Sequence, residues 1–462
     1  MKLTLIGGGG VRSPLFVGST LRRAERIGLR EICLMDVDES KLGLIGGLCQ
    51  QLVQRAGEPV RLTQTADPRK ALEGARYVVT SIRVGAEPGR VLDERIALEN
   101  GVLGQETTGP GGFAMALRSI PAVVEYARIL EEVSPGAWIF NFTNPAGLVT
   151  QALRDLGFQR TIGICDSANG AQHAIARWLG VDPQRLRPEV FGLNHLSWTR
   201  RVLLDGEDVL PQALRDREFL ATTRMNIFDP ELIEHIGMWL NEYLYYYYYA
   251  EHALDSIRGE ERTRGEEVLK LNHRLLEQLH ELLQKDEPQK ALALYESYEA
   301  RRSSTYMHYA RPDAPTPEAA GEISAANLPS EAREIERQEG YAGGALDIIE
   351  ALETGKPVYT ALNVPNEGKI RCMRPDDVVE ISCVIEQGEV RPLPVGDIPE
   401  HQELLMRAVK QYERLTVEAV LRRSRETAVW ALMAHPLVLS YSRARRLVDQ
   451  YLAAHARYIG EW

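Results

Sequence analysis

An apolar run, Lys2 to Ile6, empties directly into Gly7, Gly8, Gly9 and Gly10, and few folds use such a junction. A strand that ends in glycines before a helix lets a nucleotide's phosphates approach the backbone. Glycine has no Cβ to block the pyrophosphate, and the helix start offers unpaired N–H groups and a positive dipole end. A second strand, Glu31 to Met35, ends at Asp36, where a carboxylate can accept from a ribose diol and repel a 2′-phosphate. NAD is therefore expected rather than NADP, with Gly7, Gly8, Gly9, Gly10, Val11, Arg12, Asp36 and Arg83 lining its site. Arg12 stands where the usual fingerprint has its third glycine.

Further strand candidates at Val60 to Thr63, Tyr77 to Ile82, Ala137 to Phe142 and Thr161 to Ile164 alternate with amphipathic stretches such as Glu39 to Arg55 and Ser119 to Glu132. This rhythm predicts an α/β, Rossmann-like doubly wound sheet over residues 1–188. From residue 189 the pattern changes to an α+β half ending at 462. It reads as a strand-like run, Phe191 to Leu204, long helices at Pro230 to Ala253 and Arg262 to Lys285, and strands between Val358 and Leu393. Two closing helices, His401 to Met433 and Ser442 to Tyr458, complete it. The stretch Asp286 to Tyr341 is charged and carries prolines, and Arg301 to Gln338 reads as a mobile loop or insertion.

A net charge of −11 argues against a nucleic-acid partner, which needs a concentrated basic face. No apolar run approaches the ~18 residues that cross a bilayer, so a cytosolic protein without a membrane partner is expected. Five scattered cysteines fit reduced thiols rather than a disulfide framework.

In an open parallel sheet, ligands collect at the carboxyl ends of the strands. The polar segment Gly104 to Gly112, the turn Thr143-Asn144-Pro145, the pair Cys165-Asp166 and the run Gly192-Leu193-Asn194-His195 all fall at predicted strand ends. A thiolate and an imidazole, Cys165 and His195, suit one borderline divalent cation whose open positions take substrate oxygens and water. A buried inert cysteine and a satisfied core histidine would explain the same two residues without a metal.

Taken together, Gly7 to Gly10, Gln105-Glu106-Thr107-Thr108-Gly109, Asn141-Phe142-Thr143-Asn144-Pro145, Cys165 and Gly192 to Ser197 resemble the family 4 glycoside hydrolases, and the likeness runs on to Tyr412 to Ala419. The resemblance implies the lactate dehydrogenase type of fold and an NAD- and metal-dependent glycosidase, an exception to two-carboxylate glycosidase chemistry. In that scheme NAD takes hydride from C3, a base removes the acidified C2 proton, the glycosidic oxygen leaves, water adds and the hydride returns. It assigns Cys165 and His195 as metal ligands, Asn144 and Asn194 as sugar contacts, and Tyr243 as the C2 base. Asp166 becomes the acid for the leaving oxygen, Glu106 a water-organising partner, and Arg90 and Arg264 the phosphate ligands. A tyrosine needs nearby positive charge to act as a base.

The implied substrate is a 6-phospho-β-glucoside, on the strength of the runs Gly104 to Gly109 and Gly192 to Trp198, although Asp166 is familiar from α-specific members. A 6-phospho-α-glucoside or an unphosphorylated sugar are the alternatives. Mn²⁺ is the first choice of metal, ahead of Co²⁺, Ni²⁺ or Fe²⁺, and a homodimer or homotetramer is usual in the family. Two readings from other classes compete: an NAD-dependent 2-hydroxyacid dehydrogenase, which shares Thr143-Asn144-Pro145 but gives Cys165 and His195 no task, and a nucleotide sensor without catalysis.

Overall fold

The computed structural model describes residues 1–311, 314–325, 340–386 and 388–462. Six parallel strands, β1 (Lys2–Ile6), β2 (Glu31–Met35), β3 (Arg61–Thr65), β4 (Tyr77–Thr80), β5 (Trp138–Asn141) and β6 (Thr161–Gly163), lie in the order β3-β2-β1-β4-β5-β6. The order reverses between β1 and β4, so the glycines after β1 open at the crevice where an α/β sheet binds its ligand. β4 is buried throughout, as expected of an interior strand covered on both faces. Helices Ser13–Leu21, Glu39–Arg55 and Gly340–Thr354 form one packed group, and Pro110–Val133, Ala146–Asp155 and Glu400–Arg422 form another.

The second half begins with a hairpin of β7 (Leu186–Leu193) and β8 (Leu196–Leu204), where the sequence read one run from Phe191 to Leu204. Its turn is Asn194-His195. The short strands β9 (Glu207–Asp208) and β10 (Trp239–Leu240) flank β8 in this second sheet. Three later strands, β11 (Val358–Pro365), β12 (Val378–Glu386) and β13 (Glu389–Pro392), join the first sheet antiparallel beyond β6, making nine strands. The sheet thus crosses residue 188, and Asn363 of β11 sits opposite both Gly163 and Glu380.

Three expected elements differ. The helix expected over Pro230 to Ala253 is cut into Pro230–Ile236, Tyr245–Tyr248 and Ala250–Gly259, because Gly237 turns left-handed at φ +65° and Trp239–Leu240 pairs with β8. The closing helix expected over His401 to Met433 breaks at Arg423, left-handed at φ +51°, into Glu400–Arg422 and Arg425–Ala434. The region from Asp286, read only as charged and proline-bearing, carries a helix, Pro288–Ser304, anchored by buried Tyr295 and Tyr298. The expected loop Arg301 to Gln338 therefore starts inside a helix, and its residues 312–313 and 326–338 lie outside the described residues.

Candidate active site

The nucleotide loop is packed so that glycine is required. Gly7 is left-handed at φ +97°, and a Cβ there would lie 2.3 Å from the Ser81 carbonyl oxygen. A Cβ on Gly8 would lie 2.7 Å from Leu34 Cβ. Asp36 closes the loop, accepting from the N–H groups of Gly9 and Asp38 at 3.0 Å each. Arg12 caps the Ser13–Leu21 helix and faces Asp166, Tyr295 and Tyr298. The Tyr295 hydroxyl donates to the Val11 carbonyl at 2.7 Å, so the Pro288–Ser304 helix lies over the glycine loop.

The hairpin turn presents His195 in the left-handed region, φ +62°, a conformation that costs a residue with a Cβ about 1–2 kcal/mol. Behind it, Gln105 Oε1 accepts from the backbone N–H groups of Thr107 and Thr108, both at 2.6 Å, and from the Thr107 hydroxyl at 3.1 Å. The two backbone donors identify that atom as the amide oxygen, so the Thr107 hydroxyl gives its proton to it. Thr107 Oγ1 then serves as acceptor for the His195 Nδ1–H at 2.9 Å, leaving Nε2 with its lone pair. Burial, opposed by the charge of Glu106, lowers the imidazole pKa to about 4, so the ring is neutral. The Tyr243 ring stacks flat on it, with centroids 3.6 Å apart.

Cys165 follows β6 and caps the short helical turn Asp166–Asn169. Burial, with Glu380 and Asp166 adding to it, pushes its thiol well above the ordinary range, against one N–H bond from Ser167. Tyr243 faces both Cys165 and Glu106, and burial with those charges raises its phenol far above the ordinary value despite a hydrogen bond with Tyr306. A cation at this point would favour thiolate and phenolate alike. Asp166 is open to solvent in a crowded cleft. That crowding raises its carboxyl to about 6, Arg12 pulling it down and Glu242 pushing it up. Asn144, half-buried before a cis Pro145, sits at the end of β5. Asn194 contacts the buried Glu380 at 3.2 Å.

Beside this group lies a guanidinium cluster. Glu106 pairs with Arg83 at 2.7 Å and Arg90 at 2.9 Å, and Arg90 pairs also with Glu94 at 2.7 Å. Burial alone would raise the Glu106 carboxyl, but Arg90, Arg83 and Arg302 outweigh it and hold it far below the usual range. Glu106 is thus an organiser of charge rather than a proton carrier. Among the described residues Arg264 bonds only to uncharged oxygens, Thr305 Oγ1 at 2.9 Å and the Arg302 carbonyl at 2.7 Å. Burial, then Arg302 and Arg90, lowers its pKa to about 10. Arg118 fixes the helix Ala86–Glu99 that carries Arg90, through a buried bidentate pair with Asp93 at 2.8 and 2.6 Å.

The structure therefore brings Cys165, His195, Tyr243 and Glu106 together, with Arg90, Arg83 and Arg264 on the Glu106 side and Arg12 by Asp166. The sequence did not single out Arg302, which lay in a stretch read as loop, or Glu380. The signal for Glu380 was present: one carboxylate inside Val378 to Val384, an otherwise uncharged and buried strand. Among the described residues no group of three or more His, Cys, Asp or Glu side chains is placed to hold a metal ion. The pair fits a borderline transition cation whose coordination is completed by substrate and water oxygens. The buried Glu380 carboxyl, raised to about 7 by burial and held only by neutral hydrogen-bond donors, fits it too.

A glycine loop at the switch point of a doubly wound sheet, with a thiol, an imidazole and a tyrosine at neighbouring strand ends, defines a nucleotide-dependent enzyme of the α/β class. Residues 2–181 match the family model Family 4 glycosyl hydrolase, and residues 190–438 match Family 4 glycosyl hydrolase C-terminal domain. The chain belongs to the family 4 glycosyl hydrolases. Its structure is similar to that of the 6-phospho-beta glucosidase from Thermotoga maritima with manganese, NAD⁺ and glucose-6-phosphate. The identity is 30%, the coverage 99% of each chain and the TM-score 0.80. A 6-phospho-alpha-glucosidase from gut microorganisms in complex with NAD and Mn²⁺ is 25% identical, over 100% of this chain and 99% of that one, with a TM-score of 0.81. A lactate dehydrogenase from a deep-sea metagenome library, 11% identical over 91% of this chain and 98% of that one at a TM-score of 0.53, shares the fold alone. No helix among the described residues is long and apolar enough to cross a membrane.

Proposed function

We propose that this glycoside hydrolase cleaves 6-phospho-β-glucosides, with NAD⁺ and a divalent cation, first choice Mn²⁺, as resident helpers. The carrying observation is Arg264: a half-buried guanidinium among Arg90 and Arg302, near Tyr306 and Glu106 and hydrogen-bonded to no carboxylate among the described residues. Such a group calls for an anion, and a sugar 6-phosphate supplies one with oxygens matched to guanidinium forks. The greater identity to the β-glucosidase, 30% against 25%, together with Thr107-Thr108, supports the β anomer. Asp166 remains the feature that favours the α alternative.

When bound, NAD⁺ supplies a reversible hydride acceptor for sugar C3, and the cation, held by Cys165 and His195, supplies stabilisation of developing enolate charge. Gly7 to Gly10 leave room for the pyrophosphate, and Asp36 offers its carboxylate to the ribose once the Gly9 bond is shared. Arg90 and Arg264 fix the 6-phosphate, which sets the sugar ring against the imidazole and the tyrosine. Asn144 and Asn194 orient its hydroxyls. Tyr243, as phenolate, removes the C2 proton, and Asp166, raised to about 6, protonates the leaving oxygen. Glu106 keeps Arg83 and Arg90 in place. We place the enzyme in the cytosol, where sugar phosphates are held, as a homodimer or homotetramer.

The test is hydrolysis of matched aryl α- and β-glucosides, with and without a 6-phosphate, each with and without NAD⁺ and Mn²⁺ under reducing conditions. The expected result is turnover of the phosphorylated β-glucoside alone, dependent on both additions, with no net NADH. Stoichiometric NADH from a 2-hydroxyacid, or turnover indifferent to NAD⁺, refutes the reading.

A further inference from the structure

Glu380 lies on β12 with its side chain wholly buried. Its carboxylate accepts from Ser197 Oγ at 2.8 Å, Asn194 Nδ2 at 3.2 Å and Asn363 Nδ2 at 3.0 Å. Asn241 Nδ2 donates to Ser197 Oγ at 3.1 Å, which directs the serine proton to Glu380. All three donors are neutral, and no Lys, Arg or His forms an ion pair with Glu380 among the described residues. Burial raises the Glu380 carboxyl to about 7 against its three hydrogen bonds, and a cation bound nearby would favour its ionised form.

The position of that cation follows from what Glu380 touches. Asn194 precedes His195 in the hairpin turn, and Ser197 follows it by two residues. Asn363 is the register partner of both Glu380 and Gly163, two residues before Cys165, and its own Oδ1 is buried without a hydrogen bond. Glu380 is also the largest charge influence on the Cys165 thiol. One carboxylate therefore grips the turn that presents His195 and lends its field to the sulfur that ends β6. An outer carboxylate of this kind raises the cation affinity of inner ligands and fixes their direction.

We infer that Glu380 is a positioning residue of the cation site, holding the Asn194-His195 turn and supplying the negative charge that lets Cys165 and His195 retain a divalent ion. The inference rests on the proposed reading of Cys165 and His195 as its ligands. It predicts a cation-affinity defect that leaves nucleotide binding intact, because Gly7 to Gly10 and Asp36 lie on other strands.

The experiment is titration of the metal-free full chain with Mn²⁺, free ion read by electron paramagnetic resonance, alongside NAD⁺ binding by fluorescence. Parent, E380Q, E380D, S197A and C165S are compared. E380Q keeps the shape and removes the charge, and its Mn²⁺ dissociation constant is expected to rise about 10- to 100-fold, with NAD⁺ affinity unchanged. S197A, which loses one hydrogen bond and keeps the charge, is expected to lose far less. Equal losses in S197A and E380Q, or E380Q binding like the parent while C165S is weakened, overturn the inference and leave the ligand reading standing. A parent that binds Mn²⁺ no better than C165S overturns the ligand reading itself. If E380Q does not fold, E380D decides: its shorter arm withdraws the charge from the turn, so weaker Mn²⁺ binding supports the inference and parental binding overturns it.

Discussion

Replacing Thr107 by valine isolates how the imidazole of His195 is prepared for its work. The change is nearly isosteric, and Thr107 is buried, so the loss is confined to one hydroxyl. That hydroxyl passes its proton to Gln105 and accepts the His195 Nδ1–H at 2.9 Å. Without it a buried N–H is left unpaired, a cost of about 1–3 kcal/mol. The ring escapes by moving its proton to Nε2, which then has no lone pair for a cation. Binding must restore the original tautomer, so T107V should weaken Mn²⁺ by the same about 1–3 kcal/mol, roughly 5- to 150-fold. T107S keeps the hydroxyl and should lie within about fourfold of the parent, the most that one buried methyl, about 0.8 kcal/mol, could account for. Calorimetric Mn²⁺ titration of the metal-free chain measures both variants, and NAD⁺ titration reports on the neighbouring site. Parental Mn²⁺ affinity in T107V would refute the tautomer argument, and an equal loss in T107S would assign the effect to packing.

Four further outcomes are expected. C165S should lose cation-dependent hydrolysis while binding NAD⁺ like the parent, measured by turnover and by cofactor fluorescence. Y243F should slow exchange of the C2 proton with solvent deuterium by about 10²- to 10⁴-fold, the usual worth of a positioned base; exchange at the parental rate would remove Tyr243 from that role. R264M should raise KM for the 6-phosphorylated substrate and leave kcat nearly intact, because it removes binding shared by ground and transition states; a fall in kcat alone would contradict it. Asp166 is protonated below about pH 6 and ionised above it, so as leaving-group acid it should impose a falling limb on kcat above that pH for glycosides with poor leaving groups. D166N should lack this limb, and a limb that persists in D166N belongs to another group.

What could be read from the sequence tracks how far each feature is decided by neighbours in the chain. Lys2–Ile6 and Glu31–Met35 were legible to the residue because an interior parallel strand is a short unbroken apolar run that stops at glycine or aspartate. The candidate ligands and Tyr243 were legible through the family resemblance and the rule that sites gather at strand ends. What brings them together was not, since the flat stack of Tyr243 on His195 joins residues from β8's turn and a short helical turn across the site. The tyrosine-rich stretch after Pro230 reads as one helix by composition, but pairing of Trp239–Leu240 with β8 offers backbone hydrogen bonds that composition does not report. Likewise β11 pairs antiparallel with β6 over nearly two hundred residues of chain, and only that pairing sets Asn363 and Glu380 behind Cys165. Glu380 is the instructive case. A carboxylate amid buried apolar neighbours violates the local pattern of its strand, and such violations are where a fold yields to function. The violation is visible in Val378 to Val384 before any coordinates exist, whereas its partners, drawn from β7's turn, β8 and β11, require the fold.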